Sequence, residues 1–581
     1  MWTEVNAWEA MCGIAFALVP GNDEDAKRLV LSRLEPNVRR RGPDAFDVQT
    51  MPCGNHELVF ASSLLQLQGD APRRPSLRDK HSDRILLYNG EVYDGLPGLC
   101  HGANDGEALF QALGDPGTVA GVMSGLRGPW AFVYYDEGML WWGRDVMGRK
   151  SLLMMGEGSR MVLASVAPLE ESGMDTKDCA LCTEVAPGLY RARVDDLICR
   201  GADAAVRVEW ESEVLLALAQ YDRLSSPSSS SSLSSTRSSH YEDLLELLAD
   251  AVARRCATAA YVPVGADFSA ERDARFMVLF SGGVDSTLLA ALVHKALPLN
   301  EPIDLCNICF ATGEGEESSP DRLGAMDAYV ELKAQFPGRP WRFIAINSTY
   351  KELKSRQDRL LALLRPQDTV MDFNIGGALW LAAAGAGRLI DVVDTDSSSS
   401  PSADVSSVRM FSPSASVVEE RYVSKARVVF LGHGADELFG GYGRHRTRFA
   451  KAGWQGLEQE LRLDVRRIWE RNFGRDDRVV ADHGKESRLP FMDERVLEFA
   501  LRSSLGSLMD FSLPAGEGDK RILRDCLRSL GLERASRRVK RAMQFGTRLA
   551  KASNEALFGS NTQANRRHAG GRAKVGQEAL P

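Results

Sequence analysis

No apolar run in the 581 residues reaches the ~20 that a membrane-spanning helix needs. The nearest approach, Gly376 to Gly387, is short, rich in Gly and Ala, and ended at once by Arg388. Residues Met1 to Ala10 include Glu4 and Glu9, no basic residue and no apolar core, so neither a secretory signal nor an Arg-rich transit peptide is expected. Excess positive charge is missing too. Lys and Arg number 71 against 79 Asp and Glu, a net charge of -8, which disfavours a nucleic-acid or membrane-surface binder and favours small substrates. Cysteine is sparse, ten scattered through the chain, as in a reducing compartment rather than a disulfide scaffold. The pairs Cys179–Cys182 and Cys306–Cys309 have no second ligand pair nearby, so buried thiols are expected there instead of structural zinc. These absences leave a cytoplasmic globular protein with neither membrane nor nucleic-acid partner, and its length calls for more than one hydrophobic core.

Two Ser-rich stretches divide the chain. Residues 225–239 cannot bury enough apolar surface to fold and are expected to form a linker between blocks 12–215 and 240–555. Residues 394–416 interrupt the second block as a disordered surface insertion, and 559–581 form a disordered tail. In the first block the runs Gly13–Val19, Leu58–Ser62, Ile85–Tyr88, Trp130–Tyr135 and Leu140–Gly143 read as strands, and Asp25–Leu34 and Glu107–Leu113 as helices. In the second, a strand at Phe276–Phe280 meets a Gly turn and a helix from Ser286 to Leu297. With Val428–Leu431 it predicts a parallel sheet covered by helices on both faces.

That Gly turn carries the sharpest local chemistry. Phe280-Ser281-Gly282-Gly283-Val284-Asp285-Ser286-Thr287 places two glycines at a strand end, where backbone N–H groups can turn toward an anion at a helix N-terminus. The hydroxyls of Ser281, Ser286 and Thr287 suit phosphate oxygens, and Asp285 suits a Mg²⁺ ion held against them. With no lysine in the loop, it is not the loop of γ-phosphate-cleaving enzymes. A second Gly-rich turn, Gly432-His433-Gly434-Ala435-Asp436-Glu437-Leu438-Phe439-Gly440-Gly441-Tyr442, again follows an apolar run and offers Asp436 as a second carboxylate for the metal.

Taken together, these turns resemble the glutamine-dependent asparagine synthetase family. Ser319-Pro320-Asp321-Arg322, Arg488 to Asp493, Lys520 to Arg524 and Lys540 to Phe545 follow in that family's order. So, in the first block, do Met11-Cys12-Gly13-Ile14, Arg40 to Asp44, Asn89 to Tyr93, Asn104-Asp105, Gly128 to Phe132 and Gly143 to Lys150. The resemblance implies an N-terminal nucleophile αββα sandwich, that is, a class II glutamine amidotransferase domain. It implies an α/β ATP-pyrophosphatase domain of the adenine nucleotide alpha-hydrolase-like type after it. In that scheme Cys12 attacks glutamine, Asn89 and Gly90 form the oxyanion hole, and Asp105 grips the glutamine α-amino group. MgATP is held by Phe280 to Gly283, Asp285 to Thr287, Gly432, Gly434 and Lys520, with Asp285 and Asp436 on the metal. Aspartate is adenylated, AMP and pyrophosphate leave, and ammonia gives asparagine; the resemblance also admits a homodimer.

The family cysteine is residue one and uses its own α-amine as base, so Met11 is the expected start for an active form. Three positions depart from the pattern: Leu64 and His433 stand where the family carries Arg and Glu, and Phe373 where it carries another Arg. They point to a divergent branch of the family. Two further readings stay open: a scaffold that binds nucleotide without synthetase activity, and an ATP pyrophosphatase acting on tRNA.

Overall fold

A computed structural model of the chain describes residues 11–21, 23, 29–67, 76–79, 82–96, 104–114, 117–156, 160–168, 182–210, 233–259, 272–310, 319–394, 413–558 and 574–575. It is a mixed α/β protein built around three sheets. All five runs read as strands in the first block form strands. One six-stranded antiparallel sheet runs, in spatial order, Thr183–Glu184, Leu153–Met155, Met161–Ala164, Met11–Pro20, His56–Leu64 and Ala45–Cys53. The other runs Val206–Val208, Gly188–Arg193, Met139–Arg144, Trp130–Asp136, Ile85–Gly90 and Leu77–Arg78, also antiparallel.

Period-two alternation makes these sheets stack. Ile14, Phe16 and Leu18 point between the sheets to meet Leu87, Val133 and Trp142. The intervening Ala15 and Ala17 point outward, where small side chains leave room for Val38 on the helix Glu35–Arg41. On the far side, Leu86, Tyr88, Phe132 and Tyr134 pack against Leu109 and Met123 of the helices Asp105–Ala112 and Val119–Gly125. Of the expected helix Asp25–Leu34, the described part is Leu29–Leu34, which is wound as a π-helix.

The third sheet has seven strands in the order Pro413–Val423, Ala386–Asp394, Trp341–Ser348, Ile303–Phe310, Phe276–Leu279, Val428–Phe430 and Glu486–Arg488. From Trp341–Ser348 to Glu486–Arg488 neighbours are parallel. All eight residues of Ile303–Phe310 are buried; since successive side chains alternate faces, both faces are covered, as a parallel sheet requires. The expectation of a parallel sheet needs one correction, because the two strands at one edge are antiparallel. They form a hairpin whose ends take up positions 394 and 413–416 of the expected insertion; residues 395–412 lie outside the described residues.

Two further expectations are revised. The helix Leu233–Ala257 begins inside the Ser-rich 225–239 stretch rather than after it, while 225–232 lie outside the described residues. In the tail, Lys574 bridges to Thr369, the Val575 N–H donates to the Asp368 carbonyl at 2.9 Å, and Lys574 pairs with Asp368 at 2.8 Å. Among the described residues no helix is long and apolar enough to cross a membrane. Cys306 and Cys309 are three apart in one strand, so their thiols leave opposite faces.

The antiparallel sandwich and the seven-stranded part join through buried charge. Arg149 Nε meets Asp145 at 2.9 Å, its other nitrogens donate to the carbonyls of Met492 at 2.7 Å and Gly128 at 2.6 Å, and it pairs with Glu494. Arg488 pairs with Glu486 at 2.8 Å and reaches Glu91 at 3.1 Å. Arg478 pairs with Glu184 at 3.2 Å. Removing one member strands the others in a low-dielectric interior, so Arg149→Met is expected to lower unfolding stability by about 3–5 kcal/mol. Urea denaturation of the variant, followed by fluorescence of both halves, measures that loss.

Candidate functional site

Cys12 sits near the start of the strand Met11–Pro20, at an irregularity where Met11 pairs with Leu64 and Gly13 with Ser63. Its thiol is buried and donates to the Leu65 carbonyl at 3.9 Å, and its carbonyl accepts from Arg41 Nε at 2.7 Å. Burial, and then the charge of Glu486, push the thiol up to about 12 against smaller opposing effects of Lys150 and Arg41. Asn89 and Gly90 end a strand of the facing sheet. Ser165 links the two sheets: its hydroxyl accepts the Ile14 N–H at 3.1 Å and lies 3.5 Å from Asn89 Nδ2. The buried Asn89 Oδ1 has no hydrogen-bond partner among the described residues. Thus Cys12, Asn89 and Gly90 gather at the same end of the sandwich.

Asp105 is more committed than expected. Its two oxygens accept the backbone N–H groups of Val92 and Gly106, both at 2.8 Å, and burial raises its carboxyl to about 6. Leu64 is fully enclosed apolar wall opposite Met11 and Ala45.

The second site is a cavity of ≈ 350 Å³ at the end of the parallel strands. Gly282, at φ +68°, turns the chain from the strand into the helix Val284–Ala296, and a Cβ there would lie 2.4 Å from the Gly324 carbonyl. The helix has no side-chain N-cap, so its first-turn N–H groups stay available. Phe280, Ser281, Asp285, Ser286, Gly432 and Asp436 line the cavity, whereas Gly282, Gly283, Thr287, Gly434 and Lys520 do not. Gly432 packs so tightly on the loop that a Cβ would come within 2.8 Å of the Asp285 Cβ.

Charge alternates around the loop. Lys520 Nζ lies 2.5 Å from Asp285 Oδ2 and 2.6 Å from Asp436 Oδ1, and Lys540 Nζ lies 2.5 Å from Asp436 Oδ2. Burial opposes ionisation of Asp436, but the two lysines outweigh it and hold the carboxyl far below its usual range. Asp285 Oδ1 and Thr287 Oγ1 are buried and have no hydrogen-bond partner among the described residues. An unpartnered carboxylate oxygen beside two lysines fits a polyphosphate with a Mg²⁺ ion. No group of three or more acidic, His or Cys side chains suited to a metal occurs among the described residues. One or two carboxylates supplemented by phosphate and water are, however, the ordinary Mg²⁺ donor set.

Apart from His433, sequence reasoning missed the far wall. His433 Nδ1 lies 2.9 Å from Asp476, which pairs with Arg475 at 2.9 Å, and Arg475 pairs in turn with Asp372 at 2.9 Å. All four line the cavity. Phe373 is buried in the core, and the guanidinium in this wall comes instead from Arg475, on the helix Gly474–Ala481. Every residue of the run Arg475-Asp476-Asp477-Arg478 is charged, yet all four are buried. The Arg40–Asp44 motif was likewise only a family marker in the sequence. In the fold its charges reach across to the other half: Arg40 to Asp482 at 2.9 Å, Arg41 to Asp477 at 2.7 Å, and Asp44 to Arg427.

Comparison with known proteins agrees with this architecture. Residues 449–564 match the family model described as asparagine synthase. The chain is 32% identical to asparagine synthetase domain-containing protein 1 of Gallus gallus over 94% of this chain and 99% of that one. The human protein of the same name is 30% identical over 93% and 95%. A glutamine-hydrolyzing asparagine synthetase of Pongo abelii is 26% identical over 89% of this chain and 80% of its own.

With its thiol raised to about 12, Cys12 holds on the order of a thousandfold less thiolate at pH 8 than an ordinary cysteine. Iodoacetamide is expected to label it far more slowly than the exposed Cys199, with a rate still rising between pH 8 and 10. Peptide mapping by mass spectrometry reads both rates, and equal rates would contradict the buried, neutral thiol.

Proposed function

The chain belongs to the family of asparagine synthetase domain-containing proteins, and on that footing we propose that it is a glutamine-dependent ligase that consumes ATP and amidates aspartate to asparagine. The observation that carries this reading is the cluster of Asp285, Asp436, Lys520 and Lys540 around a lysine-free phosphate loop. MgATP would supply the adenylyl group that activates the acceptor carboxylate. Each component has a place. The N–H groups and hydroxyls of Ser281 to Thr287 would bind phosphate oxygens, and Asp285 and Asp436 would hold the Mg²⁺ ion. Lys520 and Lys540 then give up contacts to carboxylate for contacts to pyrophosphate, the group that carries negative charge away. Glutamine, aspartate and ATP are the substrates.

We assign glutamine hydrolysis to residues 12–215, as a class II amidotransferase with the N-terminal nucleophile fold, and ATP chemistry to residues 240–555, as an ATP pyrophosphatase. Cys12 is the nucleophile, Asn89 and Gly90 the oxyanion donors, and Asp105 the contact to substrate amine. A neutral, buried thiol needs a base close by. The Cys12 α-amine meets that need once residues 1–11 are absent, so the protein produced from Met11 is the form to assay beside the one produced from Met1. Leu64 at the substrate carboxylate position and the doubly occupied Asp105 favour weak glutamine recognition, with ammonium as the better nitrogen donor.

AMP, pyrophosphate and asparagine are measured from ATP and aspartate with either glutamine or ammonium. Asparagine is the expected product, and its absence with both donors would leave a nucleotide-binding protein without synthetase activity. Asp285→Ala is expected to abolish Mg²⁺-dependent ATP binding in isothermal titration. Undiminished binding in that variant would remove the phosphate-loop assignment.

A further inference from the structure

The helix Gly474–Ala481 lies between the two sites, and two adjacent carboxylates on it serve different halves of the molecule. Neighbouring residues on a helix point about 100° apart, so they cannot share a face. Asp476 looks into the phosphate cavity and holds His433 and Arg475. Asp477 looks the other way: its Oδ2 accepts from Arg41 at 2.7 Å and from the Ser151 N–H at 3.1 Å, and Lys150 Nζ lies 3.9 Å from Oδ1.

Arg41 links Asp477 to the cysteine. It closes the helix Glu35–Arg41, and its Nε donates to the Cys12 carbonyl at 2.7 Å while a second nitrogen binds Asp477. The Arg41 and Asp477 side chains are only 2% and 3% exposed. This contact falls where the strand ladder passes over Cys12 between paired Met11 and Gly13. The guanidinium is planar and rigid, so the Nη2 contact to Asp477 constrains where its Nε meets the Cys12 carbonyl.

We propose that Asp477 is a positioning residue of the cysteine site, acting through Arg41 on the Cys12 carbonyl, so that this site is complete only with a residue from the other half of the chain. It rests on the reading of Cys12 as the reacting thiol. Because Asp476 is the next residue on the same helix, any shift of that helix reaches both sites together. The Cys12 backbone is thereby set by an element that also forms the wall of the phosphate cavity.

The test uses the chain produced from Met11, both halves included, with Asp477→Asn, Asp477→Glu and Arg41→Lys. In Asp477→Asn the carbonyl anchor loosens, and iodoacetamide labelling of Cys12 is expected to rise while the kcat of glutamine hydrolysis falls, each by roughly tenfold to a hundredfold. MgATP affinity stays at the original value, and Asp477→Glu restores part of both effects. Labelling of Cys256, buried in the other half, is the control for general loosening. Wild-type labelling of Cys12 in Asp477→Asn overturns the proposal, as does an equal acceleration at Cys256. If that variant does not fold, Arg41→Lys decides, since it keeps the charge but loses the fork, and unchanged Cys12 labelling there is equally fatal. A wild-type protein that hydrolyses no glutamine would count against the proposed activity, while the labelling comparison still judges the role of Asp477.

Discussion

Buried ion pairs between the sandwich and the seven-stranded half constrain the rest of the molecule. A charge moved out of water pays back its desolvation only when its partner is close and well oriented. Arg149 with Glu494, Arg488 with Glu91, Arg41 with Asp477, and Arg478 with Glu184 meet that condition only in one docking pose. An apolar interface could slide by an ångström at small cost. This one cannot, because each displaced pair would leave ions unsatisfied. The seam therefore supplies register more than affinity, and both sites border it: Glu486 acts on the Cys12 thiol, and the helix bearing Asp477 also walls the phosphate cavity.

How far the sequence discloses this arrangement depends on the kind of signal. Apolar alternation revealed the strands of the sandwich, because each places one face in a core. The strand, Gly turn and helix around Ser281 were legible because the turn is made by local backbone geometry. Longer-range facts were not. The antiparallel hairpin at the sheet edge comes from segments with no special alternation, and the helix from Leu233 begins in Ser-rich sequence whose composition argues against it. The buried Arg475–Arg478 run could not be found by composition, since charge normally marks a surface and only partners distant in sequence make burial tolerable. Lys540 belonged to a recognisable motif, but its contact with Asp436 depends on how the chain folds back from residue 520 to 540.

The phosphate cavity shows why its lysines come from outside the loop. A lysine within the Gly turn would sit at a fixed place relative to the backbone N–H groups. Lys520 and Lys540 instead arrive from the C-terminal segments and rest on Asp285 and Asp436. Lys520 itself adopts φ +52°, an unusual conformation for a residue with a side chain, at the start of the helix Arg521–Ser529. The carboxylates thus keep two cations in place and prevent a concentrated positive field from forming in a buried pocket.

The ionic seam also has a meaning in time. Arg488 and Glu91 are separated by 397 positions, so at ~5–20 residues per second the ribosome needs about 20 to 80 s to deliver the second partner after the first. During that interval the newly made sandwich presents Glu91, Glu184 and Arg149 without their partners, beside apolar side chains such as Leu65 and Met147 that belong to the core both halves share. The ion pairs of the seam are completed only when residues 474–494 emerge.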